Sequence, residues 1–161
     1  MTDTKIFTIS NINKIVSSLH KSRKSIVLVG GCFDLLHIGH IKFLEEAKKH
    51  GDVLVVLLES DDKVRRLKGK NRPLFTATER AKVLSSINFV DYLVVLPFTN
   101  SDADYENIIT QIRPSVIALT QHDLHLAKKR GHATRVGAKL VVVPHFKTHS
   151  TSKLANMLGI N

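Results

Sequence analysis

Two histidines, His37 and His40, stand three positions apart around Gly39 in the stretch GGCFDLLHIGH, which runs from Gly30 to His40. An apolar β-branched run ends just before it, and a helical pattern begins at its end. Residues three apart share one face of a helix. The first turn of a helix offers free N–H groups and the positive end of its dipole, which together attract anions. Gly30 and Gly31 permit a close backbone approach or a positive φ at the turn. The stretch therefore reads as a phosphate cradle with two titratable donors. Zinc is a second chemistry for paired histidines, but it needs a third and usually a fourth ligand. Cys32 and Asp34 are the candidates, and they would require Phe33 and Asp34 to turn together toward one ion. No Gly-x-Gly-x-x-Gly dinucleotide loop and no Gly-x-x-x-x-Gly-Lys-Ser/Thr loop is present.

The surrounding pattern alternates. Residues 25–29 predict a strand. Residues 38–50, with Ile38, Ile41, Leu44 and Ala47 at helical spacing, predict a helix. Residues 52–58 predict a strand buried on both faces. Thr76 and Glu79 form a capping-box pair opening a helix to about residue 88, with Ala81, Val83, Leu84 and Ile87 as its apolar positions. Strands at 92–96, 116–119 and 139–143 and helices at 103–112 and 122–129 follow. Ser150 caps a last helix to about 158. A weakly amphipathic helix at 12–20 comes before the first strand and is expected on the outside or against another subunit. The fold class is α/β: a Rossmann-like parallel sheet with helices on both faces. One domain is expected over 1–161, with residues 1–23 as an arm and helix and 24–161 as the core.

Composition narrows the class. The 161 residues are 43% apolar with a net charge of +10. The longest apolar run, residues 53–58, is too short for a membrane span, and residues 1–6 lack a signal-peptide pattern. The single cysteine rules out an internal disulfide and suits a reducing compartment, so the cytoplasm is expected. The basic stretches at 63–72 and 128–135 lack interleaved aromatics, which argues against a single-strand nucleic-acid surface and for a phosphorylated small molecule.

The segment Gly31 to His40 resembles the signature of the cytidylyltransferase-like nucleotidyltransferases, a Gly-x-Phe-Asp followed by His-x-Gly-His. Their second motif, roughly Arg-Thr-x-x-Ile-Ser and two Ser/Thr, is matched by the segment from Lys147 to Leu154, KTHSTSKL. Within that superfamily the chain is most similar to the adenylyltransferase domain of bacterial ADP-heptose synthases. The match runs through GGCFD, ESDDKVRRLKG at 59–69, Arg72-Pro73 and Glu79-Arg80. Glycerol-3-phosphate cytidylyltransferases and archaeal FAD synthetases share most of these features.

The resemblance implies that an acceptor phosphate attacks the α-phosphorus of ATP or CTP and that pyrophosphate leaves. His37 and His40 would donate to the phosphates, and Lys68, Arg72 and Arg80 would reach them with charge. Gly31, Cys32, Phe33 and Gly39 would bring backbone close to the triphosphate. Ser150 and Thr151 would contact it at a second helix start, with His149 beside them. Asp34 would position Mg²⁺ or the acceptor, and His122 or Asp123 would lie near the base. Mg²⁺ arriving with the nucleotide and a homodimer are also implied. The acceptor is a phosphorylated small molecule such as heptose 1-phosphate, with glycerol 3-phosphate or FMN as alternatives. A nucleotide sensor without catalysis is the reading from another class.

The chain departs from the pattern in four places. Val29 and Gly30 replace a Thr-Asn pair, and residues 118–124 lack the expected glycines. Lys147 stands for Arg, and His149 for an apolar residue. Cys32 reads as a small packed residue rather than a nucleophile. His125, His132 and His145 read as surface or loop histidines.

Overall fold

In the computed structural model, residues 5–144, 146 and 149–159 are described. His145 and Lys147, both singled out in the sequence, lie outside them. Six parallel strands form one sheet: β1 (Ile6–Thr8), β2 (Ile26–Gly31), β3 (Val53–Leu58), β4 (Tyr92–Val95), β5 (Val116–Thr120) and β6 (Lys139–Val143), in the order β1-β4-β3-β2-β5-β6. Seven helices connect and cover them: α1 (Asn13–Lys21), α2 (Ile38–Lys48), α3 (Asp61–Lys68), α4 (Ala77–Ser85), α5 (Asp102–Ile112), α6 (Leu126–Val136) and α7 (Thr151–Met157).

Strand residues alternate between two cores because successive side chains leave a strand on opposite faces. Val27, Val29, Leu54, Val56 and Leu58 pack with Phe43, Leu44 and Ala47 of α2 and with Ala81 and Leu84 of α4. Ile26, Leu28, Val53, Val55 and Leu57 pack on the other side with α1, α5 and α6. The chain winds outward from β2 through β3 and β4, then returns to add β5 on the other side. The crevice of a doubly wound sheet opens at that reversal, outside the strands' carboxyl ends. The segment after β2 leads straight into it.

Several expectations change. α1 buries Ile12, Val16 and Leu19 in the chain's own core, so it is not an outer element kept for another subunit. That removes the sequence argument it offered for a dimer. Val83 and Ile38, two of the apolar positions that mark these helices in the sequence, are 52% and 56% exposed. α6 begins at Leu126 rather than residue 122, so His122 and His125 precede the helix. Asp123 sets that start: its carboxylate accepts the His125 N–H (2.8 Å) and the Lys129 ammonium (2.6 Å). The sequence reading missed β1, whose three residues are too short to show a period. It also missed α3, which buries only Val64 and has no apolar stripe. Its signal was in charge and capping: Ser60 at the N-cap, two aspartates in the first turn and three basic residues in the last. Among the described residues no helix is long and apolar enough to cross a membrane.

Candidate active site

β2 delivers its last two residues, Gly30 and Gly31, to the crevice. Neither glycine has positive φ; the left-handed residue of the turn is Phe33, at φ 45°. Its ring is buried and packs back on Gly31, where an added Cβ would stand 2.9 Å from Cε2. The same ring meets His40 edge-on, with centroids 5.2 Å apart. Gly31 therefore makes room for the aromatic wall behind the second histidine.

His37 is the N-cap of α2, and its Nδ1 accepts the Gly39 N–H (3.1 Å). His40 Nδ1 accepts the His37 N–H (3.4 Å). With Nδ1 accepting in both rings, a neutral imidazole must carry its proton on Nε2. The rings lie 3.9 Å apart, tilted by 31°. Burial lowers the pKa of His37. Burial, then His37 and Lys68, lower that of His40 to about 4. At neutral pH the site thus presents two neutral Nε2–H donors at a helix start. Lys68 is exposed, and its charge acts on both His40 and Cys32.

These shifts predict a pH dependence of stability. The unfolded imidazole has a pKa of about 6.5, so below that value the unfolded chain binds a proton that folded His40 refuses. Stability is complete above that pH and falls as pH drops toward about 4. The loss is at most about 3 kcal/mol for His40. Thermal melts at pH 7.5 and pH 5 should show a larger drop in Tm for the native chain than for His40→Asn. Equal drops would contradict it.

The other expected residues divide. The Asp34 carboxylate accepts from Arg72 Nε and from the Leu74 N–H (2.8 Å), and the Arg72 and Asp34 side chains are 2% and 1% exposed. Asp34 and Arg72 therefore hold each other inside the fold, and the Asp34 carboxylate is not presented to Mg²⁺, while Arg72 Nη2 is buried with no hydrogen-bond partner among the described residues. Arg80 is equally committed. It donates to Phe75 O (3.0 Å), Cys32 O, Glu59 O (2.9 Å) and Asp61 Oδ1 (2.7 Å), with its side chain 1% exposed. It clamps the turn after β2 to the end of β3 and the start of α3, and does not reach for phosphate as expected. Of the three basic side chains proposed for that task, Lys68 is the one exposed at the site.

Burial and the Glu59 carboxylate raise the pKa of Cys32, against Lys68 and Arg80, so it stays a thiol. Ser150 caps α7 by accepting the Lys153 N–H (3.2 Å), and Thr151 donates to Leu35 O (3.3 Å). Both hydroxyls are thus used within the fold, and the second docks α7 on the turn that carries the histidines. His149 and His122 are exposed. Burial works against ionisation of Asp123, but Lys129 and His125 outweigh it and leave the carboxyl below its usual range. It shapes the loop after β5 rather than standing free there. Among the described residues no group of three or more His, Cys, Asp and Glu could hold a metal ion. Sequence reasoning missed Glu59, whose signal was its place directly after the six buried residues of β3.

The model of the cytidylyltransferase-like family matches residues 28–155. The bifunctional protein HldE of Aliarcobacter butzleri is 42% identical over 115 residues, covering 71% of this chain and 23% of that protein. HldE of Campylobacter concisus is 45% identical over 114 residues, covering 70% and 23%. The chain thus spans about a quarter of the length of these relatives. Among solved structures, a lipopolysaccharide core biosynthesis protein from Thermoplasma volcanium superposes with a TM-score of 0.61 at 27% identity, covering 78% of this chain and 99% of that one. Pantoate-beta-alanine ligase from Francisella tularensis shares the fold, with a TM-score of 0.71 at 17% identity over 94% of this chain and 72% of that one.

Proposed function

The chain belongs to the cytidylyltransferase-like family of nucleotidyltransferases, and we propose that it transfers an adenylyl group from ATP to a sugar 1-phosphate. An oxygen of the acceptor phosphate forms a bond to the α-phosphorus. The bond from that phosphorus to the bridging oxygen breaks, and pyrophosphate leaves with the electron pair. No covalent enzyme intermediate is needed. The observation that carries the proposal is the closely packed pair of Nε2–H imidazoles at the start of α2, with the Lys68 charge acting on His40. Donors already fixed by backbone bonds stabilise negative charge growing on the α- and β-phosphates without reorganising. Positioning supplies much of the remainder. Similarity to the HldE proteins and to the lipopolysaccharide core biosynthesis protein favours a sugar phosphate as acceptor. Mg²⁺, where required, is assigned to the triphosphate, since the Asp34 carboxylate is engaged by Arg72 and Leu74.

Pyrophosphate release tests the reading, with ATP and CTP each offered to heptose 1-phosphate, glycerol 3-phosphate and FMN. Release is expected with ATP and heptose 1-phosphate, and its loss in His37→Ala. Release with another pair would correct the substrate. Nucleotide binding with no release from any pair would favour a sensor.

A further inference from the structure

The end of β3 carries a polar group that the proposed reaction leaves unused. Glu59 sits beside the turn that leads to the histidines: its N–H donates to Gly31 O (3.1 Å). Its carbonyl accepts from the Arg80 guanidinium that also holds Cys32 O. One carboxylate oxygen, Oε1, accepts from Tyr105 Oη (2.8 Å), and the Thr99 hydroxyl donates to that same Oη (2.8 Å). Lys63 completes the cluster, donating to Thr99 O (2.9 Å) with its ammonium 5.4 Å from the centre of the Tyr105 ring. The other oxygen, Oε2, is buried and accepts no hydrogen bond from any described residue.

A buried carboxylate oxygen without a donor is expensive, and such groups ask for a ligand that supplies one. Here the surroundings hold the carboxylate in place but leave its second oxygen unanswered. Burial raises the Glu59 pKa, while Tyr105 and the charges of Lys63, Lys129 and Arg80 oppose the rise. Glu59 is also the largest charge effect on Cys32, and Lys68 acts on both Cys32 and His40. Cys32 and Glu59 follow the paired ends of β2 and β3, so the Glu59 carboxylate stands one strand away from the turn that leads to the histidines.

We propose that Glu59 sets acceptor specificity, its Oε2 receiving a hydrogen bond from a hydroxyl of the sugar while Tyr105 and Thr99 hold the carboxylate in the receiving orientation. The inference rests on the sugar-phosphate reading above and deepens it. Glu59 touches the acceptor's sugar and not the reacting atoms, so it governs acceptor affinity and leaves the chemical step alone. A site built to pair with a hydroxyl also discriminates strongly against analogues lacking it.

The test is calorimetric titration of heptose 1-phosphate into the protein loaded with a non-hydrolysable ATP analogue, paired with steady-state kinetics. Glu59→Met keeps the shape and removes the acceptor atom. It removes a carboxylate with one unanswered oxygen but also the acceptor of the Tyr105 hydroxyl, so a thermal melt first establishes that the variant is folded. Its Kd and KM for heptose 1-phosphate should rise by about tenfold or more, with kcat and the affinity for the ATP analogue unchanged. Tyr105→Phe, which releases the carboxylate from its tether, should move the same quantities in the same direction by less. Unchanged heptose 1-phosphate affinity in a folded Glu59→Met overturns the inference and leaves the adenylyl-transfer reading standing. So does an equal loss of affinity for the ATP analogue. A native chain that binds the analogue but no heptose 1-phosphate overturns both.

Discussion

His40→Ala is expected to lower kcat for pyrophosphate release by about 10²–10³-fold, the usual cost of deleting one fixed donor to charge that develops in the transition state. The ring donates through Nε2 because its Nδ1 is already occupied by the His37 N–H. Its low pKa, about 4, means that the substitution removes a neutral donor and not a resident positive charge. Affinity for the ground-state nucleotide should therefore fall far less than turnover. Single-turnover kinetics with a direct binding titration separates the two. Equal losses in both would show that the imidazole only binds, as a sensor requires. His37→Ala has a mixed effect, because it removes both a donor and the side-chain cap of α2.

Arg80→Met should destabilise the fold by roughly 3–5 kcal/mol, as breaking a buried charged network does, with Tm falling on the order of 10 °C. The guanidinium supplies donors to three main-chain carbonyls and one carboxylate from four separate places: the turn after β2, the end of β3, α3 and the loop before α4. Without it, Cys32 O and Glu59 O lose their partner near the centre of the molecule. Arg80→Lys should fare nearly as badly, since an ammonium lacks the planar fork that spans those acceptors. Differential scanning calorimetry decides the matter. If Arg80→Lys melts like the native chain yet has no activity, then Arg80 serves the phosphates after all.

These two arginine and histidine cases show what the sequence could and could not disclose. The histidines were legible because their role depends on local spacing: three positions on a helix start, with glycines before the turn. The parallel sheet was legible because β2 and β3 are buried on both faces and so read as unbroken apolar runs. Arg80 was legible as a charge near a helix start, but its direction was not. Three of its four acceptors, on Asp61, Glu59 and Cys32, lie 19 to 48 residues away. The same holds for Asp34, whose motif position suggested a ligand while its partner, Arg72, lies 38 residues on. α3 escaped because helices are sought by their apolar stripe, and this one buries a single valine.

The bond from Thr151 to Leu35 joins residues 116 positions apart. Long closures are slow to form. The turn bearing the histidines follows the second strand of the sheet, whereas its companion helix lies beyond the sixth. During synthesis, which proceeds from the amino end, every strand can emerge and pair before that helix exists. The turn that carries the histidines is therefore braced in two instalments, and a nascent chain carries a finished sheet before α7 can dock on that turn.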